Sequence, residues 1–308
     1  MKYLSYILYL PALIIFGACT EEFEFEIDES DSKTVIEAQL TDLAQPQKVR
    51  ITKLAPDLGE TTYDGSGNDK QTPVSGATVS ITDEEGNVHV FAPQTEQYSG
   101  KFEGYYVNED FHGEKGKRYT LKVIDGDKVY TASETMPAVP VIDAIEIRRR
   151  QSEIPGKSDQ YVPYISFDNP KTKDFFRFAM YSLSKYADGR VDEQGSNRIW
   201  EYSILSDRFL PERVNNLAVN DGQSPDGKNF YPGSPGNTVR VYMSSITEGA
   251  FAFYESLVNQ FDNDGGIISP APASAPTNIS GGAIGYFIVA SSTYKDVTVP
   301  DEQPYSQE

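Results

Sequence analysis

Cysteine is almost missing from this chain of 308 residues: there is one. No intrachain disulfide and no site built from several thiolates can form. Histidine is nearly as scarce, with two, His89 and His112, which thins the field of zinc enzymes and histidine-dependent hydrolases. Basic residues are short as well. Lys and Arg number 27 against 46 Asp and Glu, a formal charge of −19, so nucleic acid and anionic lipid surfaces, which need a basic face, are excluded as natural partners. Long apolar runs are missing beyond the start of the chain. The run from Leu4 to Phe16 makes a helix of about 20 Å, too short for a bilayer core of roughly 30 Å. Against these absences stand 20 Tyr and 16 Phe with a charged fraction of 24%. That mixture builds a packed core and is not the composition of a disordered acidic chain. The length allows one large or two ordinary domains.

The first residues carry an address. A basic start, the short apolar run and the small residues that close it read as a secretory signal over residues 1–18. The end of the run, Phe16-Gly17-Ala18-Cys19, resembles the lipobox of bacterial lipoproteins, in which the cysteine becomes the lipidated first residue of the mature chain. The sole cysteine stands where that chemistry needs it, although Phe16 replaces the usual leucine. Each buried acyl CH₂ is worth about 0.8 kcal/mol, so several acyl chains on Cys19 anchor a protein firmly. Glu21, Glu22, Glu24 and Glu26 follow, a tether over 19–33. This acidic cluster directly after the cysteine resembles the surface-export signal of Bacteroidota lipoproteins.

Beyond the tether the pattern is that of a β protein. Alternating, β-branched stretches at 34–40 and 48–54 form a first hairpin; 77–82 and 88–91 flank Asp83-Glu84-Glu85-Gly86-Asn87 in a second; 119–123 and 128–132 flank Asp125-Gly126-Asp127 in a third. Short strands at this spacing predict an Ig-like or transthyretin-like β-sandwich over 34–136. Met136-Pro137-Ala138-Val139-Pro140 deny the ladder its donors and suit a domain junction. A second mostly-β domain is expected over 141–298. Its strands lie at 164–167 and 175–181, around the turn Asp168-Asn169-Pro170, and at 199–204, 238–243 and 286–291. Thr247 caps one short helix from Glu248, with Phe251, Tyr254, Leu257 and Phe261 at helical spacing and Asp262 onward as its stop. Residues 206–237 are crowded with Pro, Gly, Asn and Asp and read as a long loop, and 299–308 as a disordered tail. The fold class is mainly β.

Several landmarks stand in order: Cys19, the hairpin over 35–54, Pro73-Val74-Ser75-Gly76-Ala77-Thr78-Val79, Gly113-Glu114-Lys115-Gly116-Lys117-Arg118-Tyr119, and Asn278-Ile279-Ser280-Gly281-Gly282-Ala283-Ile284-Gly285-Tyr286-Phe287. Together they resemble a Bacteroidota family of outer-membrane lipoproteins known only as a domain of unknown function. Its members are usually encoded beside TonB-dependent receptors of the SusC type. The resemblance implies a lipid-anchored outer-membrane protein, exposed at the cell surface, with such a receptor as partner. It brings no catalytic residues. The 73–81 stretch also resembles strands of transthyretin-like and carboxypeptidase-regulatory-like sandwiches, an analogy of fold alone.

The residues themselves offer little chemistry. Gly281-Gly282-Ala283-Ile284-Gly285 runs into a strand, whereas a dinucleotide loop needs a strand before it and a helix after. Its glycines are read as positions of φ > 0 or close backbone approach. Acidic loops at 221–229 and 262–265 lack the register and distal Glu of a helix–loop–helix calcium site, and turn chemistry accounts for them. With two histidines and no mature thiol, no metal and no cofactor is expected. Tyr105, Tyr106, Trp200 and Tyr231 suit either stacking on sugars and peptides or core packing. Residues 206–237 mix aromatics and arginines, a composition suited to a contact surface, and Arg213, Phe230 and Tyr231 are its candidate partner-binding residues. The expected function is a non-enzymatic accessory of a TonB-dependent transporter in nutrient uptake. The alternatives are a structural or adhesive surface sandwich, and a divergent hydrolase whose paired carboxylates are invisible in sequence.

Overall fold

A computed structural model describes residues 33–54, 72–94, 103–150, 160–186, 191–194, 203–219, 236–262 and 275–300. The expected signal, residues 19–32 of the expected tether and residues 301–308 lie outside the described residues.

The first half is a run of antiparallel strands. They are β1 (Thr34–Thr41), β2 (Gln47–Lys53), β3 (Thr72–Pro73), β4 (Thr78–Thr82), β5 (Val88–Pro93), β6 (Tyr105–Asn108), β7 (Arg118–Asp125) and β8 (Lys128–Thr135). The expected hairpins are β1–β2, β4–β5 and β7–β8. In each, alternate residues point inward, as the two-residue strand period dictates. Ile36, Leu40, Ile51, Ile81 and Leu121 are almost wholly buried in one cluster, and each contributes about 1.5–3 kcal/mol by leaving water. The ladder β2–β6–β5–β4–β7–β8 is continuous, so the two layers around this core belong to one sheet folded over at β5, which pairs with β6 and with β4.

The second half supplies β9 (Ala144–Arg150), β10 (Gln160–Asp168), β11 (Phe175–Lys185), β12 (Val191–Gln194), β13 (Ser203–Ser206), β14 (Arg213–Ala218), β15 (Thr238–Ile246), α1 (Glu248–Asp262) and β16 (Ile284–Thr298). The small sheet β14–β10–β9 packs against the large one through Ile147, Ile165, Phe167, Phe176, Phe178, Val239, Val241 and Met243. The turn at Asp168-Asn169-Pro170 therefore does not close a hairpin. It carries the chain from the small sheet to the large one. Within the expected 206–237 loop, the described residues 206–219 are more regular than their composition predicts, because 213–218 form β14 and pair with β10. The helix begins where the sequence places it. Thr247 accepts from the Ala250 and Phe251 amides, through Oγ1 and its carbonyl respectively, and the apolar side of α1 covers Phe175, Ile246, Tyr286, Ile288 and Ala290. No helix among the described residues is long and apolar enough to cross a membrane.

The longest strand joins the two halves. Residues 284–290 of β16 run parallel to β1, and residues 291–298 run antiparallel to β15. Sequence grouping assigns all of 141–298 to a second unit. In the structure Met136 packs with the first core and Val139 with the second, while Ile279, Ala283, Phe287 and Val289 return to the first. The glycine-rich motif is the fitting of that return. Asn278 brackets the Phe287 backbone, Nδ2 donating to its carbonyl and Oδ1 accepting from its amide, both at 2.9 Å. The Ser280 amide donates to Thr131 of β8 at 2.8 Å. At Gly281 (φ +87°) a Cβ would lie 2.5 Å from the Val129 carbonyl oxygen, and at Gly285 (φ +102°) 2.2 Å from that of Ile36. The structure thus bears out close backbone approach as the reason for these glycines.

Candidate functional site

The same alternation that fills the second core leaves a polar face on the other side of the large sheet. Where Phe176, Phe178 and Met180 of β11 point to the core, Arg177, Ala179 and Tyr181 point away. On β15 the outward set is Arg240, Tyr242 and Ser244; on β16 it is Ser292, Tyr294 and Asp296; on β1 it is Gln39 and Thr41. Part of this face disappears under α1. The uncovered part forms a groove of about 270 Å³ lined by Arg177, Ala179, Tyr181, Tyr242, Ser244, Ser292, Gln39 and Thr41, with Leu43 and Gln45 of the β1–β2 turn and Glu193 of β12. The turn is held by buried Gln47, whose Oε1 accepts from the Thr41 amide at 2.8 Å while Nε2 donates to the Gln45 carbonyl at 2.7 Å. Asp42 then accepts from the Ser292 amide at 2.7 Å, tying together positions 250 residues apart in the chain.

Charge in and beside the groove is internally matched. Arg240 meets Asp296 with two bonds, Nε to Oδ1 at 2.7 Å and Nη2 to Oδ2 at 3.0 Å, and its Nη1 donates to Glu193 at 2.9 Å. Tyr242 donates its hydroxyl to the same Glu193 oxygen at 2.7 Å. The bonds to Asp296 push the Arg240 pKa up, and burial, followed by the neighbouring Glu193, pushes that of Tyr242 up. The phenol is therefore a fixed neutral donor and not a base. Arg240 also lies 4.1 Å above the Tyr294 ring, a cation–π contact. Three rings run across adjacent strands, with Tyr181 and Tyr242 perpendicular at 5.7 Å and Tyr242 and Tyr294 tilted at 5.3 Å. Arg177 donates to the Tyr254 hydroxyl of α1 at 3.2 Å.

A second cleft, about 610 Å³, opens where the chain passes from β10 to β11, between 169–173 and 206–212. Its lysines are engaged: Lys171 pairs with Glu212 at 2.8 Å and Lys173 with Glu248. Beside it Phe209 is 86% exposed.

Of the residues singled out in the sequence, Arg213 is exposed on β14, where it bridges Asp143 and, at 2.9 Å, Asp168. Those two carboxylates raise its pKa. Phe230, Tyr231, Trp200, Cys19, Glu21, Glu22, Glu24 and Glu26 lie outside the described residues, as does the 221–229 loop. Tyr106 is a core residue. It is 1% exposed, donates to the Val74 carbonyl at 2.7 Å and accepts from the Ala77 amide at 3.1 Å. Tyr105 is half-buried beneath Arg50, 5.6 Å away. His89 stacks on Phe111 at 3.6 Å and meets Asp83 at 3.2 Å, and His112 is exposed. No group of three His, Cys, Asp or Glu among the described residues is placed to hold a metal. The sequence reading missed Tyr181, Tyr242 and Tyr294. The available signal was an alternation, Arg240-x-Tyr242-x-Ser244 and Ser292-x-Tyr294-x-Asp296, which marks strands with one polar-aromatic face.

The family described as a domain of unknown function, DUF4249, matches residues 20–296. No curated protein matches the chain.

Proposed function

This chain belongs to the DUF4249 family, and on that premise we propose that it is a non-enzymatic, lipid-anchored binding protein of the Bacteroidota cell surface, serving a SusC-like TonB-dependent transporter in nutrient uptake. The observation that carries the reading is the groove. It offers hydrogen-bonding side chains on a rigid sheet, while Arg240 engages both Glu193 and Asp296. Such a surface recognises a ligand without a poised base or nucleophile. The lipobox-like Cys19 and its acidic tether supply the address, and the outer-membrane receptor is the partner that such an address brings within reach.

The test is affinity purification of the tagged full-length protein from detergent-solubilised outer membranes. Co-elution of a TonB-dependent receptor in stoichiometric amount is expected. An eluate without one favours the adhesive or structural alternative, and turnover of polysaccharides or peptides by the purified protein favours the hydrolase.

Two smaller predictions belong to this reading. Replacing Glu21, Glu22, Glu24 and Glu26 together with Ala should reduce surface display while leaving acylation intact. Equal cleavage of both forms by protease on whole cells would remove the export role. Arg213→Ala should weaken receptor co-purification and leave Tm nearly unchanged, because exposed ion pairs contribute little to stability. A lowered Tm with undiminished co-purification would make Arg213 a structural clamp for β14.

A further inference from the structure

Resting on the reading of the groove as a ligand site, we propose that it takes a neutral carbohydrate, engaging about one sugar ring of a longer glycan. Three observations converge. The floor is made of β11, β15, β16 and β1, four successive strands of the large sheet, and the groove lies on their face. Recognition on the face of a sheet falls to the side chains that stand out from it. Besides Arg177 and Glu193, those side chains are chiefly amides and hydroxyls, namely Gln39, Gln45, the Ser244 and Ser292 hydroxyls, which bond each other at 2.7 Å, and the Tyr242 phenol, which donates to Glu193. Amides and hydroxyls donate and accept together, matching the hydroxyls of a sugar, which do both.

Charge and shape narrow the class. One guanidinium, Arg177, and one carboxylate, Glu193, line the groove, and beside it Arg240 is paired with Asp296, so there is no excess of either sign to select an anion or cation. The Tyr181 and Tyr242 rings, which meet at 89°, both line the groove. Such rings offer apolar faces to the C–H surface of a pyranose while amides address its rim. Apart from Leu43, Ala179 and the rings, the lining has no apolar group, which disfavours a lipid or an apolar peptide side chain. A volume of 270 Å³ lies near the lower end of small-molecule sites, the scale of one sugar ring with its neighbours outside.

The experiment is isothermal titration of the detergent-solubilised full-length protein with malto-, cello-, xylo-, laminari-, manno- and galacto-hexaoses, up to millimolar concentration. Binding of at least one hexaose is expected, weakened roughly ten-fold by Tyr181→Ala and by Gln45→Ala, the loss that about 1.4 kcal/mol of contact represents. Gln45 is exposed on its turn, so its variant keeps the test sound if Tyr181→Ala lowers Tm. The proposal falls if no hexaose binds, or if both variants bind as the parent does. It falls equally if casein peptides bind instead and are lost in Tyr181→Ala. Receptor co-purification is scored in parallel. A receptor without hexaose binding sinks the ligand class and leaves the transporter reading standing; hexaose binding without a receptor does the reverse.

Discussion

Gly285→Ala should destabilise the protein by about 3–5 kcal/mol, lowering Tm by roughly ten degrees. Two costs add at this position. A φ of +102° is strained for any L side chain, worth about 1–3 kcal/mol. The new Cβ would also meet the Ile36 carbonyl oxygen at 2.2 Å, inside the register that pairs β16 with β1. That ladder cannot widen locally without disturbing Phe287 and Val289, which are wholly buried. Gly282 provides the control. Its φ is +87°, yet a Cβ there meets nothing within 4 Å, so Gly282→Ala should cost only the strain. Thermal melts of the two variants side by side settle the matter. Equal losses would mean that backbone strain alone explains the motif and that the close approach of β16 to β1 carries no weight.

Cys19→Ala should release the protein from the membrane fraction altogether. The effect is large because no other cysteine exists to take an acyl chain, and the net charge of −19 repels an anionic surface. A single acyl chain binds membranes only marginally, whereas several hold firmly, so on the proposed lipoprotein reading the substitution acts nearly as a switch. Fractionation with labelled fatty acid is the measurement. A variant that stays with the outer membrane and incorporates as much label as the parent would refute the lipoprotein reading and move the anchor to another part of the chain.

These two positions sit at opposite ends of what can be read in a sequence. The hairpins around 41–47, 82–88 and 125–128 were legible because strand alternation and turn residues are local. So was the start of α1, where Thr247 and Glu248 are adjacent in the chain. Tyr106 was not placed, since its partners Val74 and Ala77 lie about thirty residues away. The strand 144–150, Ala-Ile-Glu-Ile-Arg-Arg-Arg, was missed because its three arginines mask the alternation, and β14 because its neighbours in sequence are turn-formers. The groove was beyond reach for a different reason. Its lining comes from β1, β11, β12, β15 and β16, and no local pattern says that Gln39 shares a face with Tyr181 and Ser292.

The sequence by itself determined the mainly-β class, the hairpins, the capped helix and the shortage of thiol, imidazole and basic charge, because each depends on neighbours in the chain or on composition. Only the tertiary structure decided that β16 leaves the second half to lie parallel to β1. It alone brought the tyrosine face and the β1–β2 turn together into a groove. Parallel pairing joins residues 249 positions apart, and the free energy that selects it comes from burying Phe287 and Val289 between layers, a long-range packing gain that no local spacing encodes.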